Sequence, residues 1–354
     1  MYGAFSDASL RIFELAKSGE SGTVHQSRAA YLGSLALSSC CLVESDKLVL
    51  AGSWDNCMYL YSMEYGRVIL KKEAHKAAVS AVCLHGQTVL SASWDSLVKV
   101  WTLGTDEPTN CSLELKMTLA AHDSEVVCLA LEPGCRWAAS GGIDGTGCVW
   151  CIDMERTGER GCLAGLMAPH DAPVTALAWT DDGCFLASAA EDETVRLYRV
   201  LSTGIGGEAT VLMIVEHEPS ALDELGHKIV FVVRTLRFVG DQLIAAGDNG
   251  AVAMWEIKRT KECALEQLEV EDGGLGTRRC APPQALALQT DYSSRTGHNG
   301  SLQLELGRWP VYLTGRAGLP SEDGKVRAVV GSKSASTIVT IGDAGVFVWT
   351  AAGQ

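Results

Sequence analysis

A short motif that recurs at a nearly constant spacing constrains this chain more than any other feature of its sequence. In each copy an Asp or Asn stands six residues before an aromatic residue that ends a short apolar run. The copies begin 40 to 57 residues apart, except for one interval of 94 residues. Seven copies at one period indicate repeated structural units: Asp7/Phe13, Asp55/Tyr61, Asp95/Trp101, Asp144/Trp150, Asp192/Tyr198, Asn249/Trp255 and Asp343/Trp349.

Each copy is typical of a tight turn followed by a β-strand. Gly follows the turn residues Asp144 and Asn249, as it does in short hairpins. The strand after the turn is apolar on both faces, as in residues 97–101, which predicts a sheet covered on both sides by other sheets. No helical pattern separates the copies. Radially stacked sheets meet these requirements, so we predict an all-β β-propeller of about seven four-stranded antiparallel blades, one of them incomplete.

Three copies also carry a His 20 to 22 residues before the turn Asp, and a Ser four residues before it. These spacings are marks of the WD40 repeat, and the chain resembles that family from end to end. The resemblance implies that the His, Ser, Asp and aromatic residue of each set form a hydrogen-bonded chain inside one blade. The three structural sets are His75, Ser91, Asp95 and Trp101; His122, Ser140, Asp144 and Trp150; and His170, Ser188, Asp192 and Tyr198.

The same residue types also occur in Ser–His–Asp catalytic triads. A triad needs one exposed nucleophile beside an oxyanion pocket, whereas this set occurs three times with its Ser inside an apolar strand. We therefore predict a structural network and no catalytic residues. The network is incomplete in other copies: the Asp55 copy has Ala51 at the Ser position and no matching His, and His227 faces Ala245 and Asn249.

The first hundred residues carry motifs that are more specific than the repeat itself. They resemble the WD40 portion of BEACH-domain proteins in the segments 6–13, 35–40, 53–56, 59–62, 65–67, 91–96 and 98–101. The resemblance implies an adaptor in membrane traffic or receptor-linked signalling, in which the propeller follows a PH-like and a BEACH module. The first copy begins at the end of a second strand. Our hypothesis is that upstream residues, with a possible BEACH module, precede Met1 in the native chain.

We predict a single propeller domain over residues 1–354. Residues 6–15 form a partial blade, and residues 259–300, rich in Gly, Pro, Glu, Arg and Ser, form a flexible insertion in the long interval. An eighth blade would need another Asp-plus-six frame there, and the interval contains none with a flanking apolar strand. The inner strands of the repeats are predicted within 33–63, 74–103, 121–152, 169–200, 227–257 and 325–350.

Composition argues against several kinds of partner and cofactor. The net charge of −14 disfavours sequence-independent nucleic-acid binding, which depends on Lys and Arg. No apolar stretch is long enough for membrane insertion, and the first residues lack a signal-peptide pattern. With 13 Cys, an odd number, we expect a cytoplasmic protein with reduced thiols, peripheral to membranes only through partners. Cys148 and Cys151 would face opposite sides of a strand and could not bind one metal ion together, so we expect no metal. Gly324-Lys325 lacks the earlier Gly and the following Ser or Thr of a phosphate-binding loop, so we expect no cofactor.

Two tryptophans are candidates for partner binding. Trp54 and Trp94 immediately precede the turn Asp in consecutive copies, and the WD40 resemblance implies that this position lies on the upper face of the propeller. Exposed Trp is a frequent anchor at interfaces, although both rings could instead lie flat against neighbouring loops. Residues 101–200 contain 16 acidic and 6 basic residues, which would steer a basic partner or merely serve as a solvated rim.

These observations favour a non-catalytic scaffold or adaptor of the BEACH–WD40 type, whose partners are proteins or peptide segments. One alternative is another WD40 adaptor, such as a substrate-recruiting subunit of a ubiquitin ligase. A second alternative is a propeller enzyme. It would need convergent carboxylates or metal ligands at the central channel, and the sequence shows no such cluster.

Overall fold

Short β-strands separated by turns form nearly all of the described chain. The computed structural model describes residues 2–16, 23–43, 47–107, 110–153, 161–202, 209–218, 220–222, 228–240, 242–248, 252–258, 303–305, 311–317, 326–331, 337–342 and 345–351. From residue 256 onward, and at some strand residues before it, it describes only the backbone. The first sheet contains three strands, β1 (Tyr2–Ala4), β2 (Ser9–Ala16) and β3 (Thr23–Tyr31).

Six further sheets contain four antiparallel strands each. The second to fifth sheets are formed, in chain order, by β4 (Leu37–Val43), β5 (Leu48–Ser53), β6 (Cys57–Ser62) and β7 (Arg67–Glu73); β8 (Val79–His85), β9 (Thr88–Ser93), β10 (Val98–Glu107) and β11 (Asn110–Leu119); β12 (Val126–Leu131), β13 (Trp137–Gly142), β14 (Gly147–Cys151) and β15 (Cys162–Leu166); and β16 (Val174–Trp179), β17 (Phe185–Ala190), β18 (Val195–Ser202) and β19 (Ala209–His217). A separate hairpin follows, formed by β20 (Ser220–Leu222) and β21 (Lys228–Val230). The sixth and seventh sheets are formed by β22 (Val233–Val239), β23 (Gln242–Gly247), β24 (Val252–Lys258) and β25 (Gln303–Glu305), and by β26 (Val311–Ala317), β27 (Val326–Gly331), β28 (Thr337–Gly342) and β29 (Gly345–Ala351).

The sheets stack around a ring through their inner strands. Strands β4, β8, β12, β16, β22 and β27 contact one another in that order, and β1 contacts β4. The ring closes where β26 contacts β3. Strand β26 precedes the rest of its sheet in the chain but pairs with β29 at the outer edge. The predicted radial arrangement of about seven antiparallel sheets, one of them incomplete, is therefore confirmed.

The aromatic residues that end the motif in the second to sixth sheets pack against the sheet before them in the chain. Tyr61 joins the core that contains Leu10 of the first sheet, and Trp101 joins the core that contains Leu48 of the second. Trp150, Tyr198 and Trp255 do the same one sheet further on, and all of these side chains are buried. The apolar contacts between neighbouring sheets thus depend on the motif itself.

Two irregularities recur at equivalent places in the sheets. One residue bulges near the start of each inner strand, and another bulges on the outer strand opposite the motif aromatic. Two bulge side chains reach the neighbouring sheet: Ser80 Oγ donates to the Val126 carbonyl oxygen, and Thr175 Oγ1 donates to that of Val233, both at 2.6 Å. A bulge re-aims a side chain, and here it adds a polar contact between blades.

Several predicted segments are only partly described. Each predicted inner-strand range covers the three inner strands of one sheet to within a few residues at its end, but residues 228–230 of the range 227–257 belong to the separate hairpin. Residues 259–300, His227, Asn249, Asp343 and Gly324-Lys325 lie outside the described residues. Strands β24 and β25, which flank 259–300, pair with each other through Glu256 and Glu305. Cys148 and Cys151 are buried in different cores on the two faces of β14, and both are free thiols.

Candidate functional site

The first predicted set forms a continuous hydrogen-bonded chain in the third sheet. His75 Nε2 lies 2.8 Å from Ser91 Oγ, and His75 Nδ1 lies 3.0 Å from the Asp95 carboxylate. Trp101 Nε1 donates to Ser91 Oγ at 2.9 Å. Because the indole nitrogen only donates, the Ser91 hydroxyl accepts from it and donates to His75 Nε2, which places the imidazole proton on Nδ1, facing Asp95.

The second set, in the fourth sheet, has the same His–Ser–Trp hydrogen bonds as the first set but a different contact between its His and its Asp. Ser140 Oγ lies 2.7 Å from both His122 Nε2 and Trp150 Nε1. His122 Nδ1 meets Thr146 Oγ1 at 3.3 Å, and that hydroxyl in turn donates to Asp144 at 2.7 Å. Thr146 therefore stands between the imidazole and the carboxylate, so that Asp144 acts on His122 through a neighbour.

The third set, in the fifth sheet, ends in a tyrosine and is looser at that end. His170 lies 2.7 Å from Ser188 Oγ and 2.9 Å from the Asp192 carboxylate, with Thr194 as an additional partner of both His170 and Asp192. The hydroxyl oxygens of Ser188 and Tyr198 are 3.4 Å apart. A phenol can donate or accept, so Tyr198 does not fix the direction of this chain as an indole does.

Burial keeps the three imidazoles neutral. It lowers the pKa of His75, His122 and His170 below the ordinary value of 6.5, although the neighbouring carboxylates oppose the shift. Burial alone would raise the pKa of Asp95, but hydrogen bonds from the Lys76 backbone and from His75 lower it overall. A neutral imidazole beside a carboxylate is what the proton positions of the first set require.

These sets have the connectivity of a relay rather than that of a reactive centre. The three serine side chains are fully buried, and each hydroxyl is engaged by its imidazole and its aromatic partner. A nucleophile needs access to a substrate and to oxyanion donors, and a hydroxyl within a covered strand has neither. The arrangement can hold the loop that carries each His against the turn that carries each Asp.

In the second sheet the turn residue Asp55 has a hydrogen-bond partner that was not predicted from the sequence, Tyr59. Gly33 lies 22 residues before Asp55, at the position where later copies carry His. Tyr59 extends into this space, and its hydroxyl donates to Asp55 at 2.5 Å. A Cβ at Gly33 would come within 3.2 Å of the Tyr59 ring, so the small residue and the large one are complementary.

The residue four positions after the turn Asp is a second feature that the sequence analysis missed. In the third sheet, Lys99 Nζ donates to the Ala74 carbonyl oxygen at 2.6 Å, directly before His75. In the fifth sheet, Arg196 donates to the Pro169 carbonyl oxygen at 2.6 Å, directly before His170. A signal for this feature is present in the sequence. At the position four residues after the turn Asp, some copies carry a long polar side chain on an otherwise apolar strand; the residues there are Tyr59, Lys99, Cys148 and Arg196.

The two candidate tryptophans lie together on the face formed by the turns. The backbone N–H groups of Trp54 and Trp94 donate to Ala36 and Ala78 in equivalent bonds, and Ile143, Glu191 and Asp248 make the matching bonds in the next three sheets. The Trp54 and Trp94 rings have centroids 5.5 Å apart and are tilted by 44°. Their exposed fractions are 47% and 46%, so the two side chains pack on each other and still leave about half of their surface to solvent. Ile143, at the equivalent position of the fourth sheet, is equally exposed.

The loops that enter the inner strands lie beside these turns. His170 N–H donates to the Gly145 carbonyl oxygen at 3.0 Å, which joins the loop of the fifth sheet to the turn of the fourth. Exposed acidic residues occupy the loops and turns of these two sheets: Asp123, Glu125, Asp144, Asp171, Glu191 and Glu193. The structure describes all residues of the entering loops 32–36, 74–78, 120–125 and 167–173 and of the motif turns 54–56, 94–97, 143–146 and 191–194. Among these residues, Lys76 is the one exposed Lys or Arg.

The described ranges contain no group of three or more His, Cys, Asp or Glu side chains arranged to hold a metal ion. In the same part of the chain, no helix has the length and apolarity needed to cross a bilayer.

Three segments, 66–102, 113–151 and 161–199, match the family model described as WD domain, G-beta repeat. The chain folds as a WD40 β-propeller. Each segment ends one residue beyond the motif aromatic of the third, fourth or fifth sheet, and it contains the His, Ser and Asp of the corresponding set.

Curated relatives of this WD40 propeller are distant and bear varied names. Apoptotic protease-activating factor 1 of Rattus norvegicus is 26% identical over 72% of the chain. Striatin-3 of Homo sapiens is 32% identical over 56%, and small ribosomal subunit protein RACK1y of Oryza sativa subsp. japonica is 27% identical over 43%. The chain spans 18%, 25% and 55% of the length of these three proteins, respectively.

Proposed function

We propose that this propeller is a non-catalytic protein-interaction scaffold that binds proteins or peptide segments through the face formed by its turns. The observation that carries this proposal is the half-exposed Trp54–Trp94 pair. Large aromatic side chains that stay partly exposed leave apolar surface in contact with water, which is unfavourable. A docking partner would bury this surface and gain binding free energy. WD40 propellers are in general scaffolds for protein interactions, and the varied names of the relatives fit a shared scaffold more than a shared reaction.

Within that class we propose an adaptor of the BEACH–WD40 type. The support is the resemblance of residues 5–101, most closely to the factor associated with neutral sphingomyelinase activation. The relatives named above are WD40 proteins of other kinds, so this finer proposal depends on the sequence motifs alone. The competing adaptor class is a substrate-recruiting subunit of a ubiquitin ligase. Sequencing full-length transcripts distinguishes the two, because one requires upstream BEACH coding sequence and the other an F-box or similar segment.

The scaffold proposal is tested by affinity capture with matched variants, followed by mass spectrometry. One variant is Trp54→Ala with Trp94→Ala. Its control, Leu163→Ala with Leu166→Ala, removes two exposed apolar side chains from the outer strand β15. We expect specific partners of the native chain to be lost from the first variant and kept by the second. If both variants capture the same proteins as the native chain, the tryptophan pair is not the binding site and the proposal fails.

A further inference from the structure

The turn face divides into two neighbouring surfaces of different chemistry. The first, which we name the apolar arc, consists of exposed apolar side chains from the second to fourth sheets: Leu35, Trp54, Trp94 and Ile143. The second, which we name the acidic sector, consists of exposed carboxylates from the fourth and fifth sheets: Asp123, Glu125, Asp171 and Glu193. A partner that covers one surface meets the edge of the other.

Backbone hydrogen bonds join the two surfaces. Ile143 N–H donates to the Glu125 carbonyl oxygen at 2.9 Å, so an end of the apolar arc lies against a member of the acidic sector. Gly145, two residues after Ile143, accepts from His170 N–H, and Asp171 follows His170 in the chain. Asp171 N–H in turn donates to the Asp192 carboxylate at 3.2 Å, next to Glu193. The acidic sector therefore begins where the apolar arc ends.

Within the described part of the chain, no Lys or Arg side chain pairs with the acidic sector. Among the residues that the structure describes, none of its four carboxylates takes part in an ion pair. The next two acidic residues around the ring, Glu191 and Asp248, are both paired with Arg234, at 2.5 and 3.1 Å. The negative potential is therefore concentrated beside Ile143, on the side of the apolar arc away from Trp54.

We infer that the turn face binds a basic segment of a partner protein, in which apolar side chains pack on the apolar arc and adjacent Lys or Arg side chains lie over the acidic sector. The inference rests on the scaffold function proposed above and specifies the chemistry of its partner. Opposite charges steer the encounter and fix the orientation, while the tryptophan pair contributes most of the contact area. An acidic peptide, a nucleic acid or an anionic membrane surface would be repelled by the same four carboxylates.

The inference is tested with peptides that do not depend on knowing the native partner. A random 12-residue library displayed on phage is selected on the purified 354-residue chain. The most enriched peptide is then synthesised with a fluorescent label, together with a version in which every Lys and Arg is replaced by Glu. Dissociation constants are measured by fluorescence anisotropy at low and at physiological salt. We expect enrichment of Lys or Arg next to apolar residues, and binding that weakens as salt rises.

Matched variants assign the binding to the two surfaces. Asp123→Asn with Glu125→Gln should weaken the basic peptide about fivefold, and Trp54→Ala with Trp94→Ala more than about tenfold. The controls are Glu64→Gln with Asp181→Asn, two exposed carboxylates on turns of the opposite face, and Leu163→Ala with Leu166→Ala. Both controls should bind like the native chain.

The possible outcomes separate this inference from the scaffold proposal. If enriched peptides are neutral or acidic and still lose binding in the tryptophan variant, the basic partner is wrong and the scaffold face stands. If basic peptides bind equally well to the tryptophan variant and the native chain, this face is not the site and both proposals fail. A library that yields no peptide enriched over the empty support also overturns the inference.

Discussion

The hydroxyl group of Tyr59 lies 2.5 Å from the carboxylate of Asp55, in the space that a histidine ring fills beside the equivalent carboxylate of the next sheet. Asp55 lies in the turn directly before β6 and Tyr59 lies on β6, whereas in the third sheet His75 comes from a preceding loop. The second sheet thus satisfies its turn carboxylate locally. The consequence is that its entering loop, which contains Gly33, is held to Asp55 by weaker bonds from Ser34, at 3.4 and 3.5 Å.

Tyr59→Phe should destabilise the propeller by about 1–2 kcal/mol, because a partly buried carboxylate loses a charge-assisted hydrogen bond. The measurement is the midpoint of urea unfolding followed by circular dichroism. Tyr61→Phe is the control, since Tyr61 is buried on the same strand and its hydroxyl has no hydrogen bond within the described residues. Equal losses in the two variants would show that the Tyr59 bond contributes nothing specific.

Asp95→Ala should cost about 2–3 kcal/mol, and Asp144→Ala less than about 1 kcal/mol, although both residues occupy the same position of the repeat. The reason is that Asp95 contacts the His75 imidazole directly, while Asp144 is exposed and reaches His122 through Thr146. The measurement is the midpoint of urea unfolding of each variant, compared with that of the native chain. A larger loss for Asp144→Ala would contradict the geometry described above.

The free energy of unfolding should fall as the pH drops below about 6.5. Burial lowers the pKa of His75, His122 and His170 in the folded chain, so the unfolded chain takes up these protons first and is stabilised by them. The stability is therefore fully present above the ordinary pKa of 6.5 and is lost as the pH falls through the lowered values.

This pH dependence is measured from urea midpoints between pH 8.0 and 5.5, a range that stays above the ordinary pKa of carboxyl groups. His122→Gln should reduce the slope of stability against pH. A slope that is the same in this variant and in the native chain would exclude His122 as a contributor.

Gly145→Ala should destabilise the fold by more than about 2 kcal/mol. Gly145 has a φ of +80°, and a Cβ added there would overlap the backbone carbonyl of His170, whose N–H it accepts. Gly86→Ala is the matched control: its φ is +58°, but nothing lies within 4 Å of the added Cβ, so only the backbone preference, about 1 kcal/mol, is lost. Thermal midpoints that fall equally would remove the argument from close approach.

The sequence predicts the ring of sheets because its signals are local and repeated. The Asp-plus-six frame fixes the turn and the following strand, and the structure buries the aromatic of every described copy up to Trp255. The alternation of apolar residues on both faces likewise predicts why Cys148 and Cys151 end in different cores. Such features follow from neighbours in the chain, and so they can be predicted without knowing the tertiary contacts.

Contacts between distant residues could not be predicted in the same way. The spacing of His122, Ser140 and Asp144 matches the other sets, yet the interposed Thr146 depends on the side-chain conformation in the turn. The separate hairpin of Ser220–Leu222 and Lys228–Val230 sets the start of the sixth sheet at Val233, later than the repeat period indicates. The mutual packing of Trp54 and Trp94 requires two adjacent sheets to be in place, and the sequence left two orientations open.

The packing of the motif aromatics from Tyr61 to Trp255 on the preceding sheet has a consequence for synthesis of the chain. The apolar face of one sheet is covered only after the next repeat, some 48 residues later, supplies residues such as Trp101 or Trp150. A nascent chain emerging from the ribosome therefore always carries one uncovered sheet at its growing end. We expect chaperones that recognise exposed apolar strands to follow this moving edge, and a pause in translation within a repeat to prolong its exposure.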